Sequence, residues 1–252
     1  MFTASTQPIE RNTNLYVCSG KDGIMITDYT KQMELINAHE VSEPINVIGC
    51  GALGSWIAFF LLKMGFRNVH VYDYDTIEEH NIPNQLFKEN QIGMKKTQAM
   101  HVLYKEFFND CDNRITVHEE KITEDNAFAL RGIIFCAVDT MEGRKTIYET
   151  AFKYSPNATL WIEGRLSIWG AYIYSIDRMT NLEQYEKTFY KDTEAEVSAC
   201  GTSQTALPSA VNCASTMLMQ MITYLNNKET GIEDNALEYS IPWLVTIRKR
   251  WK

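Results

Sequence analysis

The sequence predicts an α/β fold with a mostly parallel sheet, continued by antiparallel strands and covered by helices on both faces. Two short, almost wholly apolar runs, Ile45–Ile48 and Ile133–Val138, are typical of parallel strands buried on both sides. Two later stretches, Thr159–Glu163 and Trp169–Asp177, are rich in β-branched and aromatic residues. We expect these two stretches to extend the sheet beyond the half that the earlier strands form.

The first apolar run opens a strand–turn–helix–strand unit. Residues 49–54 read GCGALG, a G-x-G-x-x-G match, and the apolar segment that follows stops at Gly65, a plausible C-cap. Val69–Tyr72 predicts a second strand, with Asp73 at its end. Such glycines let the backbone approach a phosphate held by helix N–H groups, and the acid can bind ribose hydroxyls. The unit therefore predicts a Rossmann-like nucleotide site, although a merely structural turn is the competing interpretation.

The composition is that of a globular protein. The chain has 252 residues, of which 45% are hydrophobic and 22% charged, and we expect residues 1–40 to form an appendage to one domain over 41–252. A net charge of -8 argues against a general nucleic-acid binder. No apolar run approaches the ~20 residues of a membrane span. Since the N-terminus lacks the apolar core of a signal peptide, we expect a cytoplasmic protein.

The cysteines predict no metal framework. Six are present, and none forms a C-x-x-C pair, so we expect no structural zinc. In a cytosolic chain of this size they are more typical of reduced thiols that serve as small core residues.

Further elements follow from periodicity and turn residues. Helices are expected over Asp28–His39, from about Gln91 to Phe108, around Asp125–Leu130, after Asp139–Thr140, and over Ser209–Leu225. In the last helix, Met217 and Met221 lie at helical spacing with other apolar residues, which predicts core packing. Strands are expected at Arg114–His118 and Ile241–Ile247, the latter followed by a basic tail. The charged stretch Thr180–Ser198 predicts a mobile excursion or a crossover, which extends to about residue 205.

Polar side chains gather at the predicted carboxyl edge of the sheet, where open α/β sheets bind ligands. Asp75, Asn81 and Gln85 follow the second strand, and Lys95 and Lys96 open the next helix. Lysines at a helix start oppose the helix dipole, so an anionic ligand would explain them. A solvated loop is the competing interpretation.

A further acid, Asp139, stands at the end of the apolar strand Ile133–Val138 and so at the same edge. It can serve a ligand, or it can cap the helix that follows. The sequence leaves both roles open.

With these residues in view, the chain resembles the ThiF/MoeB/E1 family, the adenylyltransferases that activate ubiquitin-like and sulfur-carrier proteins. The resemblance covers about Ile45 to Leu225 and rests on motifs in the family's order. These are the glycine turn, Asp73-Tyr74-Asp75, Asn81 before Gln85, Gly93 with Lys96, and Asp139 with Arg144 behind it. This series of motifs in order indicates the family much more specifically than the glycine motif alone.

The resemblance implies a role for each matching residue. Gly49, Gly51 and Gly54 shape the turn under ATP, Asp73 holds the ribose, Asp75 and Gln85 complete the nucleotide site, Asn81 and Lys96 contact the phosphates, and Asp139 positions Mg²⁺. Among these, Lys96 and Asp139 would be catalytic. The roles are chemically sensible, because a triphosphate needs cations and amide donors and Mg²⁺ prefers hard oxygen ligands.

The implied reaction joins two anions. The C-terminal carboxylate of a ubiquitin-like protein, sulfur-carrier protein or peptide attacks the α-phosphate of ATP and yields an acyl-adenylate and pyrophosphate. Catalysis would then rest on charge neutralisation and in-line positioning. The resemblance also implies a homodimer. From the net charge and the lack of a long apolar run we expect no nucleic-acid or membrane partner.

Two features depart from the family pattern. The family often has Arg immediately before Gln85, where this chain has Asn84, so a charge-assisted phosphate contact is missing. Lys95, Arg144 or an arginine of a second subunit are candidates to replace it. The family's zinc-binding cysteine pairs are also absent, which indicates a compact variant.

Cys200 lies eight residues before Pro208, and its position resembles that of a crossover-loop cysteine in ThiF-like enzymes. There such a thiol can attack the adenylate and form a thioester with the carrier. The alternative is a packed cysteine where the chain re-enters the core, and the sequence favours neither role over the other. Exposure and thiolate character decide between them, and the sequence gives neither.

Two rival functions stay open. An NAD-dependent oxidoreductase would satisfy the glycine unit, but it has no evident need for the polar run from Asp75 to Lys96. A catalytically silent half of a heterodimeric activating enzyme is favoured by Asn84 and disfavoured by Asp73, Lys96 and Asp139.

Overall fold

A computed structural model describes residues 15–20, 23–108, 114–167, 170–194, 205–228, 231–232, 234–240 and 245–251. Within these ranges the chain forms ten strands and six α-helices. The strands are β1 Leu15–Gly20, β2 Gly23–Asp28, β3 Ile45–Ile48, β4 Val69–Tyr72, β5 Ile115–His118, β6 Gly132–Cys136, β7 Ala158–Ser167, β8 Gly170–Asp177, β9 Ala236–Ser240 and β10 Val245–Lys249. The helices are α1 Gly54–Lys63, α2 Lys96–Phe108, α3 Glu124–Ala127, α4 Met141–Ile147, α5 Leu182–Glu186 and α6 Leu207–Asn226.

Eight of the strands form one mixed sheet, in the order β10-β9-β8-β7-β6-β3-β4-β5. β3 to β7 run parallel, and β8 to β10 continue the sheet antiparallel. The predicted fold class is therefore confirmed. The chain places β4 and β5 on one side of β3 and then β6 and β7 on the other, so a ligand crevice is expected beside the carboxyl ends of β3 and β6.

Helices cover both faces of the sheet. On one face, α1, α2 and α6 pack on a continuous apolar cluster that includes Ile57, Leu61, Met217 and Met221. On the other face, α3, α4 and a π-helical turn at Tyr148–Lys153 enclose a smaller, aromatic cluster around Trp161. The core role predicted for Met217 and Met221 of α6 is confirmed, since both are fully buried, whereas Met219 between them is exposed.

The first strand–helix–strand unit forms as predicted. β3 and β4 have the predicted bounds, and α1 ends two residues before Gly65. Gly65 has a φ of 89°, and its N–H and that of Phe66 bond to the carbonyls of Leu62 and Leu61. The left-handed conformation that closes the helix is one glycine adopts without a steric penalty.

Several other predictions were wrong or incomplete. Asp28–His39 forms no continuous helix but two 3₁₀ turns at Thr30–Gln32 and Ala38–Glu40, because tertiary contacts such as Gln32 Nε2 to Met64 O (2.6 Å) hold the segment. The antiparallel pair of β1 and β2 and the strand β9 were missed. The late strand is Val245–Lys249, so part of the predicted basic tail lies within it.

The described cysteine side chains behave as the sequence predicts. Cys50, Cys136 and Cys213 are free and buried, and burial raises the pKa of Cys136 to about 12. The side chain of Cys18 and the residues Cys111 and Cys200 lie outside the described part. Among the described helices, none has the length and apolar character that a membrane span requires.

Candidate nucleotide-binding site

The glycine turn joins β3 to α1, and each glycine meets a different requirement. Gly49 has a φ of 89°, and a Cβ there would lie 2.7 Å from the carbonyl oxygen of Ala137. A Cβ on Gly54 would lie 1.8 Å from Gly49 O, whereas one on Gly51 would meet nothing nearer than Gln85 Nε2, at 3.9 Å. The outer glycines therefore allow the turn itself, and the middle one leaves open space above it.

Asp73 closes the turn from the end of β4. Its Oδ2 accepts a hydrogen bond from Cys50 N (2.6 Å), and its Oδ1 accepts one from Asp75 N (2.7 Å). The carboxylate is buried, so these bonds offset its loss of hydration. The N-cap of α1 is Leu53, whose side chain accepts no hydrogen bond from the helix N–H groups. N–H groups at the start of a helix favour an anion.

The loop after β4 folds back on itself and delivers Lys96 to this point. Ile77 N bonds to Met94 O (2.9 Å), and Lys96 N bonds to Asp75 O (3.0 Å). Lys96 Nζ then donates to Asp75 Oδ2 at 2.9 Å. Burial alone would lower the pKa of Lys96, but this hydrogen bond and the charges of Asp73 and Asp75 raise it. Lys96 is therefore charged, and Asp75 supplies part of the explanation sought for a lysine at a helix start.

The middle of the loop is fixed to the first turn of α1. Trp56 Nε1 donates to Asn84 O (3.1 Å), and Leu86 N donates to Ser55 Oγ (3.2 Å). These two bonds hold Gln85, between them, against Gly51. Asn81 is buried, and its Oδ1 accepts from Glu78 N (3.0 Å).

The side chain of Asn84, which stands at the family's arginine position, reaches the start of α6. Its Nδ2 donates to Thr205 Oγ1 (2.6 Å) and lies 3.3 Å from Thr205 O. Asn84 therefore links the nucleotide loop to Thr205, the residue at which the described chain resumes after the crossover.

Lys95, a candidate to replace the family's arginine, is engaged by other groups. Its Nζ donates to Tyr74 O (2.6 Å) and lies 3.8 Å from Glu119 Oε1.

Asp139 follows β6 at the same edge of the sheet and is exposed. The N-cap of α4 is Thr140, whose Oγ1 accepts from Gly143 N (3.3 Å). The alternative role of Asp139 as that cap is therefore wrong. Ala137, two residues earlier, bonds to Ile48 O (2.8 Å) and packs on Gly49, which brings this acid's segment beside the glycine turn.

Arg144 is committed to a buried ionic network behind Asp139. Its Nη2 donates to Val138 O (2.7 Å), and its Nε lies 3.2 Å from Glu163 Oε2. Glu163 is fully buried and also accepts from Arg165 Nε (2.6 Å) and Tyr185 OH (2.6 Å). These contacts occupy the Arg144 guanidinium, so Arg144 does not take the place of the missing phosphate-binding arginine.

The same network holds the first half of the crossover. Arg165 donates to the carbonyl and hydroxyl oxygens of Thr188, at 2.6 and 2.9 Å. Further along, the carboxylate of Asp192 accepts from Met141 N (2.5 Å) and Glu142 N (3.1 Å) at the start of α4. Cys200 lies outside the described residues.

Sequence reasoning missed Glu163, Arg165 and Asp192. Glu163 and Arg165 alternate within a strand whose neighbours are apolar, and this alternation of opposite charges was an available signal for a buried pair. Asp192 gave no local signal, because its partners are backbone groups fifty residues away.

Comparisons with known proteins bear on the family and the fold of the chain. The chain is 35% identical over 104 residues to the Nedd8-activating enzyme E1 catalytic subunit of Drosophila melanogaster, a match covering 40% of this chain and 23% of that protein. The chain thus spans about a quarter of that relative's length. Among solved structures, E. coli MccB with ATP aligns with a TM-score of 0.62 at 14% identity, over 87% of this chain and 66% of the other.

A second structure, E. coli tRNA N6-threonylcarbamoyladenosine dehydratase, TcdA, in complex with AMP, aligns with a TM-score of 0.57 at 16% identity, over 79% of this chain and 91% of that chain. Because the sequence identities to these two structures are low, the two matches support a shared fold only. The sequence model of the ThiF family matches residues 32–248. Because this match spans most of the 252 residues, the chain belongs to the ThiF family.

Proposed function

We propose that the chain binds ATP at the carboxyl edge of the sheet and transfers its adenylyl group to a carboxylate. The observation that carries this proposal is the convergence of the glycine turn, Asp73 and Lys96 beside the carboxyl ends of β3 and β6. The turn supplies open backbone and helix N–H groups for phosphate. Each Asp73 oxygen keeps a second lone pair for a ribose hydroxyl.

The phosphate end would be held by Lys96 and Asn81. Lys96 brings a charge whose ion pair with the half-exposed Asp75 can be exchanged for an anionic ligand. Asn81 has its oxygen engaged by Glu78 N, so its amide N–H groups form the end that donates. Gln85, held against Gly51, lines the same space.

Mg²⁺ is part of the proposal through Asp139. An exposed carboxylate is a hard oxygen ligand of the kind that Mg²⁺ takes, with phosphate oxygens and water completing its coordination. The ion would neutralise charge on the triphosphate. Asp139 is suited to this role because its neighbour Thr140 caps α4 and leaves the Asp139 side chain exposed.

In the reaction, a carboxylate oxygen of the substrate bonds to the α-phosphorus, and the bond to the pyrophosphate oxygen breaks. The substrate is already ionised, so no general base is needed. The task of the protein is to bring two anions together, for which the Lys96 charge and the N–H groups of α1 supply compensating positive charge.

The substrate we propose is the C-terminal carboxylate of a ubiquitin-like protein, a sulfur-carrier protein or a peptide. The printed name of the Nedd8-activating relative supports a ubiquitin-like substrate, and the MccB structure supports the use of ATP. Transfer to Cys200 as a thioester and assembly as a homodimer belong to the proposal through the family resemblance alone.

A second candidate function rests on Asn84. Its amide is engaged by Thr205 and it carries no charge, so the site has one cation fewer than the family pattern. A nucleotide-binding subunit with little or no activity of its own, within a heterodimeric activating complex, would fit this difference.

ATP–pyrophosphate exchange separates these functions. We expect exchange in the presence of peptides with free C-terminal carboxylates and none with the same peptides amidated.

Two variants test the site residues in the same assay. Lys96→Met and Asp139→Ala should each lower the exchange rate about 100-fold or more. Lys95→Met, which changes the adjacent lysine, should lower the rate much less. ATP binding without exchange for any carboxylate would favour the silent subunit, and saturable NAD⁺ binding in place of ATP would favour an oxidoreductase.

A further inference from the structure

Helix α1 is apolar on its outer side as well as on the side that faces the core. Ile57, Leu61 and Leu62 are fully buried against the sheet. Trp56 and Phe59 lie on the opposite side of the helix and are only partly buried. A surface helix usually carries polar residues on its outer side, and one that is apolar all round is typical of a helix with neighbours on every side. The sequence of α1 therefore indicates a further neighbour on its outer side.

Four aromatic rings form a continuous strip there, which we call the aromatic ridge: Trp56, Phe59 and Phe60 of α1 with Phe107 of α2. The ring centroids are 6.1 Å apart for Trp56 and Phe60, 6.3 Å for Phe59 and Phe60, and 5.0 Å for Phe59 and Phe107. Phe107 is 52% exposed. Single exposed apolar side chains are ordinary, whereas a contiguous patch marks an interaction surface.

Helix α6 packs beside α1 and extends the ridge with a surface that carries no charge. Its 20 residues include no Asp, Glu, Lys or Arg, and α1 has a single charged residue, Lys63, at its C-terminal end. At the 22% of the whole chain, thirty residues would carry about six or seven. Met219 and Leu207 of α6 are 43% and 40% exposed. Few charges together with aromatic residues and Met are the composition of a protein–protein interface core.

The surface also has the size that an interface needs. At about 1.5 Å per residue, α6 is about 30 Å long, α2 about 20 Å and α1 about 15 Å, and each helix is about 10 Å wide. Side by side, their outer sides offer a flat footprint of about 650 Å². This is comparable to the roughly 800 Å² that each partner contributes to a standard interface.

We propose that the aromatic ridge and the exposed side of α6 join two copies of this chain in a symmetric dimer. A two-fold contact sets the same patch of each copy against the other, so a charged patch would repel its own copy. The net charge of the chain is -8, and an uncharged surface is where two such copies meet without repulsion between like charges. Aromatic rings also pair favourably with one another, offset or edge to face.

The proposed surface reaches the edge of the nucleotide site, and in this respect the inference rests on the proposed function. Trp56 Nε1 donates to Asn84 O, and Asn84 Nδ2 donates to Thr205 Oγ1. Leu207 begins α6 two residues later. A partner copy seated on the ridge therefore borders the loop that lacks the family's arginine. The homodimer, until here an implication of the resemblance alone, thereby has a defined surface.

The test is the mass of the protein in solution, measured by sedimentation velocity at concentrations up to about 100 µM. We expect a dimer. Met219→Glu and Phe107→Glu should each weaken it at least about 10-fold, because a two-fold contact brings a new, desolvated charge from each copy. Met179→Glu and Phe128→Glu are the matched controls, since Met179 and Phe128 are 67% and 61% exposed outside this surface. Both control variants should dimerise like the unaltered protein.

A second measurement uses only the unaltered protein and so does not depend on how the variants fold. Oxidation of methionines by hydrogen peroxide is followed by mass spectrometry in dilute, monomeric and in concentrated, dimeric protein. Met219 should be oxidised several-fold more slowly in the dimer, because the contact covers its side chain. Met179 should be oxidised at the same rate in both.

The proposal is overturned by a protein that stays monomeric up to about 100 µM, by a dimer that both surface variants leave intact, or by equal oxidation of Met219 in monomer and dimer. A chain that is monomeric alone and uses this surface only with a different chain would overturn it as well. Pyrophosphate exchange reports on the proposed function separately. A monomer that catalyses exchange would remove the dimer and keep that function, whereas a dimer without exchange for any carboxylate would do the reverse.

Discussion

The three glycines of the turn differ in what a methyl group would meet, and this difference gives the first prediction. Gly54→Ala puts a Cβ against the carbonyl of Gly49 and should destabilise the fold by about 3 kcal/mol or more. Gly51→Ala meets only ordinary contacts, so it should fold normally and lose ATP affinity because it fills the space above the turn. Chemical denaturation and ATP titration of both variants check this contrast. Equal stability of the two variants would contradict it.

Two histidines on neighbouring strands, His70 on β4 and His118 on β5, give a prediction about pH. Their facing nitrogens, His70 Nδ1 and His118 Nε2, are 3.1 Å apart. Burial lowers the pKa of His70 and His118 in the folded state, with Glu120 partly opposing this at His118. The unfolded chain therefore binds more protons near the ordinary histidine pKa of about 6.5. Stability from these groups is complete above that pH and is lost as the pH falls through it.

The free energy of unfolding, measured between about pH 7.5 and 5.5, should therefore decrease toward acid. His70→Gln should show a smaller decrease, and His80→Gln, which changes an exposed ring, should match the unaltered protein. A steeper acid loss in His70→Gln would show that the sign is wrong.

At the scale of elements, the Arg144–Glu163–Arg165 network ties the end of β6, strand β7 and the crossover together. Glu163→Gln leaves two guanidinium groups with no carboxylate between them and should cost about 3–5 kcal/mol of unfolding free energy. Asp234→Asn is the matched control, because its partner Arg248 is mostly exposed, and it should cost less than about 1 kcal/mol. A loss at Glu163 as small as that of the control would contradict a buried, paired carboxylate.

The contact between the nucleotide loop and α6 is testable by a double-mutant cycle. Asn84→Ala and Thr205→Val each remove one side of the 2.6 Å hydrogen bond. We expect a coupling energy of about 0.5–1.5 kcal/mol from denaturant unfolding. Effects that add to within about 0.3 kcal/mol would mean that the two side chains do not interact.

The sequence predicted the elements whose signal is local. β3 and β4 match to the residue because apolar runs and glycines mark their ends. β9, with the sequence ALEYS, carries no such run, and it becomes a strand because β8 and β10 pair with it on either side. Likewise β7 extends to Ser167 because its last residues pair with β8 as far as Gly170, a pairing that residue-by-residue propensity does not reveal.

The same limit applies to the site. The glycine turn, Asp73 and Lys96 were found because motif spacing and strand ends place them at one edge of the sheet. The link between Lys96 and Asp75 depends on the loop folding back through the Ile77–Met94 pairing, which is a tertiary event. The contact of Asn84 with Thr205 joins residues 121 positions apart, and no local pattern encodes it.

At the scale of the whole molecule, both described ends of the crossover are fixed near the proposed ATP site. Asp192 holds one end at the start of α4, directly after Asp139, and Thr205 holds the other through Asn84. The strand β3 leads into the nucleotide turn, and β7, at the other side of the parallel half of the sheet, supplies the network that anchors the crossover. The proposed chemistry therefore depends on the parallel half as a whole, not on the glycine unit alone.

The most direct test of the account is to identify which bond of ATP is broken. Phosphorus NMR of the protein with ATP, Mg²⁺ and a pool of peptides with free C-termini should show AMP-linked product and pyrophosphate. The same pool with amidated C-termini should leave ATP intact. Release of ADP and inorganic phosphate, with no cleavage at the α-phosphate, would contradict the central claim.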